Sequence, residues 1–209
     1  MSWERYRVDV PEGQSGAWKV SRFAVTPKDE ARDQLRAFVS QSGRAVPVGT
    51  YTRLTRGGAL VMSDTPDEVR DHLEPILKAR GRVLVVGLGL GMVAQAVLRK
   101  PEVQHLTVVE KSPDVIRLVA PWLRERFEGP VVDGAPLFPG RVEIVEADAL
   151  TWRPPKGARW DVAWFDIWDD ITSDNLGEMR TLHRRFGRFA AWKGSWARWW
   201  CERLAAAGI

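Results

Sequence analysis

The stretch VLVVGLGLG, residues 83–91, decides the fold of this chain. Its first four residues are uncharged and rich in valine, which predicts a strand buried on both faces. Glycines follow at Gly87, Gly89 and Gly91, and a helical segment runs from Met92 to Arg99. Such a turn lets a ligand approach the backbone, while the helix offers free N–H groups. We predict a nucleotide-binding turn, with a tight turn that binds nothing as the alternative.

A regular alternation of strands and helices continues after this turn. Strands are predicted at residues 106–109, 142–145 and 162–165, with a helix at residues 114–127. Uncharged β-rich segments separated by helices are typical of a parallel sheet covered on both faces. The predicted fold class is therefore α/β, with a Rossmann-like, doubly wound, mainly parallel sheet.

The residues before this sheet have a different pattern. Apolar and polar residues alternate at residues 18–25 and 50–54, which predicts strands, and residues 29–40 have helical spacing. A turn at Gly57 and Gly58 predicts a hairpin, and a capped helix is expected from Pro66 to Arg80. We predict a small β-rich extension over residues 1–65 and a nucleoside-binding domain over residues 66–209.

Composition limits the classes of protein to consider. The formal net charge is +4 and the pI about 9.5, too mild a balance to establish nucleic-acid binding. One cysteine excludes an internal disulfide, and the three scattered histidines have no metal-ligand spacing. The charged N-terminus and the lack of a long apolar run predict a cytoplasmic protein with no metal and no membrane span.

Acidic residues follow the second and third predicted strands. Glu110 lies about 20 residues after the glycines, the separation expected for a carboxylate that binds ribose hydroxyls. Asp148 follows the third strand and is placed to accept a hydrogen bond from an adenine amino group. Met92 stands where a dinucleotide fingerprint has Gly or Ala, which disfavours NAD. The alternatives are a solvated Glu110 and an Asp148 that only caps a helix.

A further acidic group follows the fourth strand in WDVAWFDIWDD, residues 160–170. Asp166 and Asp169 are the candidate catalytic carboxylates, because the carboxyl ends of strands face the ligand crevice in open α/β sheets. They are suited to binding an ammonium group or to acting as a general base. Helix capping is the simpler alternative.

The C-terminal part is rich in tryptophan and arginine. Helices are predicted at residues 175–188 and 195–206, and four tryptophans recur at helical spacing: Trp192, Trp196, Trp199 and Trp200. Packing over the sheet is the first interpretation of these tryptophans. With the arginines that precede them, they also fit a surface for nucleic acid or for a homo-oligomer partner.

These segments together resemble the class I S-adenosylmethionine-dependent methyltransferases, and within them the spermidine-synthase-like branch. The resemblance extends from about Gly57 to Asp170. It implies that Gly87, Gly89 and Gly91 line the methionine part of the cofactor and that Glu110 binds the ribose. It also implies that Asp148 binds the adenine, with Lys111 and Ala149 beside these two acids, and that Asp166 lies at the reacting end.

The chain departs from these families at several positions. Aminopropyltransferases have an Asp at the position of Leu90 and a Pro at that of Asp170, and methyltransferases commonly have an acid at that of Val85. Their sheet also continues with further strands, whereas helices alone are predicted after Asp170, so we expect a sheet without the usual last strands.

Three functions fit the sequence. The first is an S-adenosylmethionine-dependent methyltransferase of unknown acceptor, either a small molecule or a macromolecule. The second is an aminopropyltransferase that uses decarboxylated S-adenosylmethionine. The third is a non-catalytic module that binds an adenosyl ligand or nucleic acid.

Overall fold

A computed structural model describes residues 3–39, 45–129, 131–132, 135–136 and 140–209 of the protein. Ser40, the last residue of the helix predicted in the N-terminal part, lies outside these ranges. Among the described residues, no helix is both long enough and apolar enough to cross a bilayer.

The N-terminal part forms an antiparallel sheet of four strands in sequential order. The strands are β1 (Gly13–Ser15), β2 (Trp18–Val25), β3 (Gly49–Arg56) and β4 (Ala59–Ser63), with helix α1 (Pro27–Val39) between β2 and β3. A turn through Gly57 and Gly58, both at positive φ, joins β3 to β4 as the sequence predicts. The predicted β-rich extension is confirmed.

The rest of the chain is built on a parallel sheet of five strands. Its strands and helices, with a small hairpin made of β7 and β8, are in chain order α2 (Pro66–Asp71), α3 (Leu73–Lys78), β5 (Gly81–Val86), α4 (Met92–Leu98), β6 (Val103–Glu110), α5 (Pro113–Glu128), β7 (Val131–Val132), β8 (Ala135–Pro136), β9 (Val142–Glu146), β10 (Trp160–Phe165), α6 (Asn175–Phe186), β11 (Ala190–Ser195) and α7 (Arg198–Ala207). The strand order is β11-β10-β5-β6-β9. From β5 the chain adds β6 and β9 on one side of the sheet and then returns to add β10 and β11 on the other side, so the switch point lies between β5 and β10. The predicted α/β, Rossmann-like, doubly wound class is confirmed.

Alternation along the central strands covers both faces of this sheet. Val83 and Val85 of β5 belong to a core that also contains residues of α4, α5 and the N-terminal sheet. Leu84 and Val86 point to the other face, where Leu182 of α6 packs. Because the N-terminal sheet shares the first core, the boundary at residue 65 stays a prediction.

The predicted helix from Pro66 to Arg80 is wrong as one continuous element. It is broken at His72 into α2 and α3. Pro75 explains the break, because it has no N–H to donate and its ring clashes with the carbonyl four residues earlier. The break puts His72 at a junction between two helices, where it is buried.

The purely helical C-terminus is also a wrong prediction in part. A fifth parallel strand, β11, pairs with β10 between the two predicted helices. Trp192 therefore lies on a strand and stacks on Trp164 of β10, with ring centroids 6.4 Å apart. Trp196 packs against the same core, but Trp199 and Trp200 are exposed. The helical spacing of these tryptophans was misleading, because Trp192 lies in a short strand and Trp196 directly after it, so that only Trp199 and Trp200 share a helix.

Asp64 joins the N-terminal segment to the antiparallel sheet. Its fully buried carboxylate accepts hydrogen bonds from the backbone N–H groups of Val8 (3.2 Å) and Thr52 (2.7 Å). We predict that Asp64→Ala lowers the free energy of unfolding by about 2–4 kcal/mol, because it leaves two buried donors without partners. Urea denaturation measures this change. Glu12→Ala, which removes an exposed carboxylate, is the control, and equal losses in both variants would contradict the prediction.

Candidate functional site

A cavity of about 490 Å³ lies at the carboxyl ends of the parallel strands. It is lined by residues that follow β5, β6, β9 and β10, and by side chains of the N-terminal sheet and α2. This volume is within the range of about 300–1,000 Å³ of small-molecule pockets. The location is the switch point between β5 and β10, where ligands bind in open α/β sheets.

The three glycines have three different roles. Gly87 has φ +98°, and a Cβ there would lie 1.8 Å from the backbone oxygen of Asp166, so no other residue fits. Gly89, at φ +50°, lies under Met62, whose sulfur would be 2.5 Å from an added Cβ. Both line the cavity. Gly91 is not among the lining residues; it precedes α4 and packs against Trp122 of α5.

Glu110 holds the turn in place and also lines the cavity. Its Oε2 accepts the backbone N–H of Leu88 at 2.8 Å, and its Oε1 accepts that of Ser112 at 2.7 Å. Burial raises the pKa of this carboxyl against the opposing effect of these N–H donors. A carboxylate oxygen can accept more than one hydrogen bond, so acceptor capacity is left for ligand hydroxyls.

Asp148 and Lys111 form an ion pair on the rim. Lys111 Nζ lies 2.9 Å from Asp148 Oδ2, and Asp148 Oδ1 accepts the N–H of Leu150 at 2.9 Å. The hydrogen bond from Lys111 holds the pKa of Asp148 below its usual value. Lys111, Asp148 and the buried Ala149 all line the cavity. The described residues between β9 and β10 contain no helix, so this N–H bond belongs to a turn and the helix-capping alternative is wrong.

Asp166 is paired with a histidine that the sequence did not single out. His72 Nε2 lies 2.7 Å from Asp166 Oδ2, and His72 Nδ1 lies 2.7 Å from the backbone oxygen of Glu68. Glu68 Oε2 is 3.9 Å from the same ring. All three side chains line the cavity, where they form a cluster of two acids around one buried imidazole.

The charges of this cluster determine its titration. Burial lowers the pKa of His72, but Asp166 and then Glu68 outweigh it and raise the value to about 9. Burial raises the pKa of Glu68 to about 7, and the positive charge of His72 opposes this rise. His72 is therefore an imidazolium near neutral pH and holds the Asp166 carboxylate by a charge-assisted hydrogen bond.

Asp169 lies at the outer edge of the cavity and is partnered by Arg56 of β3. Arg56 also lies over the ring of Trp18, with its guanidinium carbon 5.3 Å from the ring centroid. Both members of this ion pair are more than a third exposed, so the pair contributes little to stability. Asp166 and Asp169 consequently have different partners and different environments.

Sequence reasoning missed the residues before β5 that line the cavity. The N-terminal sheet contributes Trp18, Leu54, Arg56, Val61 and Met62, and α2 and the residue after it contribute Glu68 and His72. Pro75 was the available signal for His72, because a proline in a helical segment ends the helix close to that histidine. No signal in the sequence points to Arg56 or Trp18, since their approach to the cavity depends on how the two sheets pack.

We predict that stability falls as the pH rises from 6.5 to 9.5. The folded-state pKa of His72 is raised, so its contribution is complete below the unfolded value of about 6.5 and is lost as the pH passes about 9. The loss is on the order of 1–3 kcal/mol. Urea unfolding at the two pH values measures it in the wild type and in His72→Gln.

His105→Gln is the control for this measurement. The pKa of His105 is lowered, chiefly by burial, so its titration lies below the range tested and its loss should not change the pH dependence. A His72→Gln variant as pH-sensitive as the wild type would contradict the assignment.

Comparison with known proteins gives relatives of two kinds. No family model matches the chain. Polyamine aminopropyltransferase 1 of Streptomyces coelicolor is 33% identical over 136 residues, which cover 62% of this chain and 24% of that protein. Ribosomal RNA small subunit methyltransferase A of Thermobifida fusca is 34% identical over 102 residues, which cover 49% of this chain and 26% of the relative.

The chain thus spans about a quarter of the length of these relatives. Among solved structures, N-methyltransferase NodS of Bradyrhizobium japonicum has a TM-score of 0.42 at 14% identity, over 60% of this chain and 63% of that one. A likeness this low adds nothing to the sheet topology described above. The matches with curated proteins confirm the resemblance to aminopropyltransferases and methyltransferases that the sequence indicated.

Proposed function

We propose that the protein is an S-adenosylmethionine-dependent methyltransferase. The observation that supports this most is the cavity at the switch point, where Glu110 braces a glycine turn on one side and the Asp166–His72 pair lies on the other. The relatives with aminopropyltransferase and methyltransferase names are consistent with a transferase that uses an adenosyl sulfonium donor.

The residues around the cavity fit such a donor. Glu110 has acceptor capacity for ribose hydroxyls, and Gly87 and Gly89 expose backbone where side chains would otherwise fill the space. Asp148, Lys111 and Ala149 would lie beside the base, with the Asp148 carboxylate accepting from its amino group. When bound, the donor supplies an electrophilic methyl group, so alignment of the acceptor is a large part of catalysis.

Asp166 is the residue proposed to act on the acceptor. His72 occupies Oδ2, which leaves Oδ1 to orient an amine or hydroxyl and to take its proton. The imidazolium of His72 fixes the direction of this carboxylate through the hydrogen bond to Oδ2, so His72 is a positioning residue. Trp168, which lines the cavity beside Asp169, would help to exclude water from the acceptor.

Arg56 favours S-adenosylmethionine over its decarboxylated form. A guanidinium on the cavity wall is an apt partner for the donor's carboxylate, which the decarboxylated compound lacks. Its present partner Asp169 is exposed and weakly held, so an exchange of partners costs little. Leu90 also counts against the decarboxylated donor. Aminopropyltransferases have an Asp at this position, whereas the Leu90 side chain is buried in the core and offers no polar group to the ligand.

Aminopropyl transfer is the second candidate, and the Streptomyces coelicolor relative is the observation that favours it. Its acceptor would be an amine, for which Glu68, Asp166 and Asp169 supply carboxylates around the cavity. A cationic substrate could use Asp169 only by exchanging with its present partner Arg56.

We predict that S-adenosylmethionine binds and that Glu110→Gln weakens binding at least about tenfold. The amide presents an NH₂ group to backbone donors that need an acceptor, so the turn loses its brace and the ribose its partner. Isothermal calorimetry measures the dissociation constants. Glu146→Gln is the matched control, since Glu146 is paired with Glu110 across β6 and β9 but is exposed and does not line the cavity. Failure of the wild type to bind at millimolar concentration would overturn the proposed function.

The choice of donor can be tested at Arg56. We expect the wild type to bind S-adenosylmethionine about tenfold more tightly than the decarboxylated compound, and Arg56→Gln to remove this preference. Calorimetry with both compounds makes the comparison. Arg53→Gln on the same strand is the control, because Arg53 is exposed and does not line the cavity. A wild type that prefers the decarboxylated compound would favour aminopropyl transfer.

A further inference from the structure

A second concave surface lies on the face of the parallel sheet that α6 covers. It is a shallow pocket of about 500 Å³, and it shares no residue with the cavity described above. Four arginines line it together with Trp152 and Phe189: Arg153, Arg184, Arg185 and Arg188. Arg159 adjoins them, since its guanidinium and that of Arg188 lie 5.6 and 4.8 Å from the centroid of Phe189. These five arginines are here called the arginine surface.

The charge of the protein is concentrated on the segments that form this surface. Residues 151–160 and 180–195 contain eight lysines and arginines and no aspartate or glutamate. The whole chain has a net charge of +4, so removing these eight positive charges leaves the other 183 residues at −4. The basic character of the protein therefore comes from these two segments, although its overall charge is mild.

The five arginines of this surface do not stabilise the fold through ion pairs with the described residues. Within the described parts of the chain, no carboxylate lies at ion-pair distance from any of the five. Arg185 donates to the backbone oxygen of Trp152 at 2.9 Å, whereas the exposed Arg153 and Arg184 make no hydrogen bond within the described residues. A favourable dipole at the end of α6 accounts for Arg184 and Arg185 but not for Arg153 and Arg159, which lie before β10.

Like charges this close repel one another, and an anionic partner relieves the repulsion. We propose that the arginine surface binds single-stranded nucleic acid through its phosphates. Guanidinium groups match phosphate geometry and also stack on planar rings, and two aromatic residues lie among them. A polymer of carboxylates would satisfy the charges but would have no planar group to stack on this surface. The proposal does not depend on the methyltransferase assignment.

Fluorescence anisotropy with a labelled oligouridylate tests the proposal on the full chain. We expect binding at 50 mM salt that weakens as salt rises, because the arginines displace counterions from the phosphates. In the double variant R153Q/R184Q, affinity should fall at least about tenfold, and the slope of log K against log salt should become shallower by about 1.4, or 0.7 for each lost contact. R153K/R184K keeps the charges and should retain most of the affinity.

Arg124→Gln is the matched control for location. Arg124 is an exposed arginine of α5 that makes no hydrogen bond or ion pair to the parts of the chain that the structure describes, and α5 packs on the opposite face of the sheet from α6. Because the substituted arginines are exposed, thermal melting should show all variants folded to the same extent.

Four results would overturn the proposal: no binding of the oligouridylate at 50 mM salt, an equal loss in Arg124→Gln, equally tight binding of polyglutamate, or tighter binding of anionic lipid vesicles. Comparable binding of an oligothymidylate would support it, because the phosphates are shared. S-adenosylmethionine calorimetry on R153Q/R184Q should match the wild type, so a failure here is distinguishable from a failure of the proposed function.

Discussion

The contact between Gly87 and the backbone of Asp166 is the constraint on which the site depends. The carbonyl of Asp166 fills the space of a side chain at residue 87, while the Asp166 N–H donates to Val86 at 2.8 Å. β5 and β10 can therefore stay together to their last residues and then separate, one into the glycine turn and the other toward Asp169. The cavity opens at that separation, and the residues that follow the two strands necessarily face each other across it.

The residues before β5 complete the lining of the cavity. The parallel sheet supplies Glu110, Asp148 and Asp166, but the hydrogen-bond partner of the Asp166 side chain comes from the residues before β5. His72 is the clearest case, since a broken helix brings a buried imidazolium against the carboxylate. Burying this positive charge is favourable only because two acids surround it, and the same acids raise its pKa to about 9. The residues before β5 thus act on the electrostatics of the cavity as well as on its shape.

Charge is distributed unevenly between the two concave surfaces. Around the cavity, each basic residue is paired with an acid, as in Lys111 with Asp148 and Arg56 with Asp169. On the arginine surface the described residues offer no such acid. The net charge of +4 is a sum over the whole chain, so it does not reveal that paired charges line the cavity while unpaired arginines form the other surface.

The sequence by itself determined four of the five parallel strands and the edge of the sheet at which the cavity lies. Uncharged strands, the glycines at 87, 89 and 91 after the first strand, and an acid at the end of each of the next three predicted strands are local patterns whose consequences follow from parallel-sheet geometry. Glu110 and Asp166 could be located for that reason. Only the tertiary structure decided the partners of these acids, the strand β11 and the place of Trp192. Arg56 is 113 residues from Asp169, and His72 is 94 from Asp166. Contacts over such separations depend on how whole helices and strands pack against one another, and the short-range periodicity of a sequence does not predict that packing.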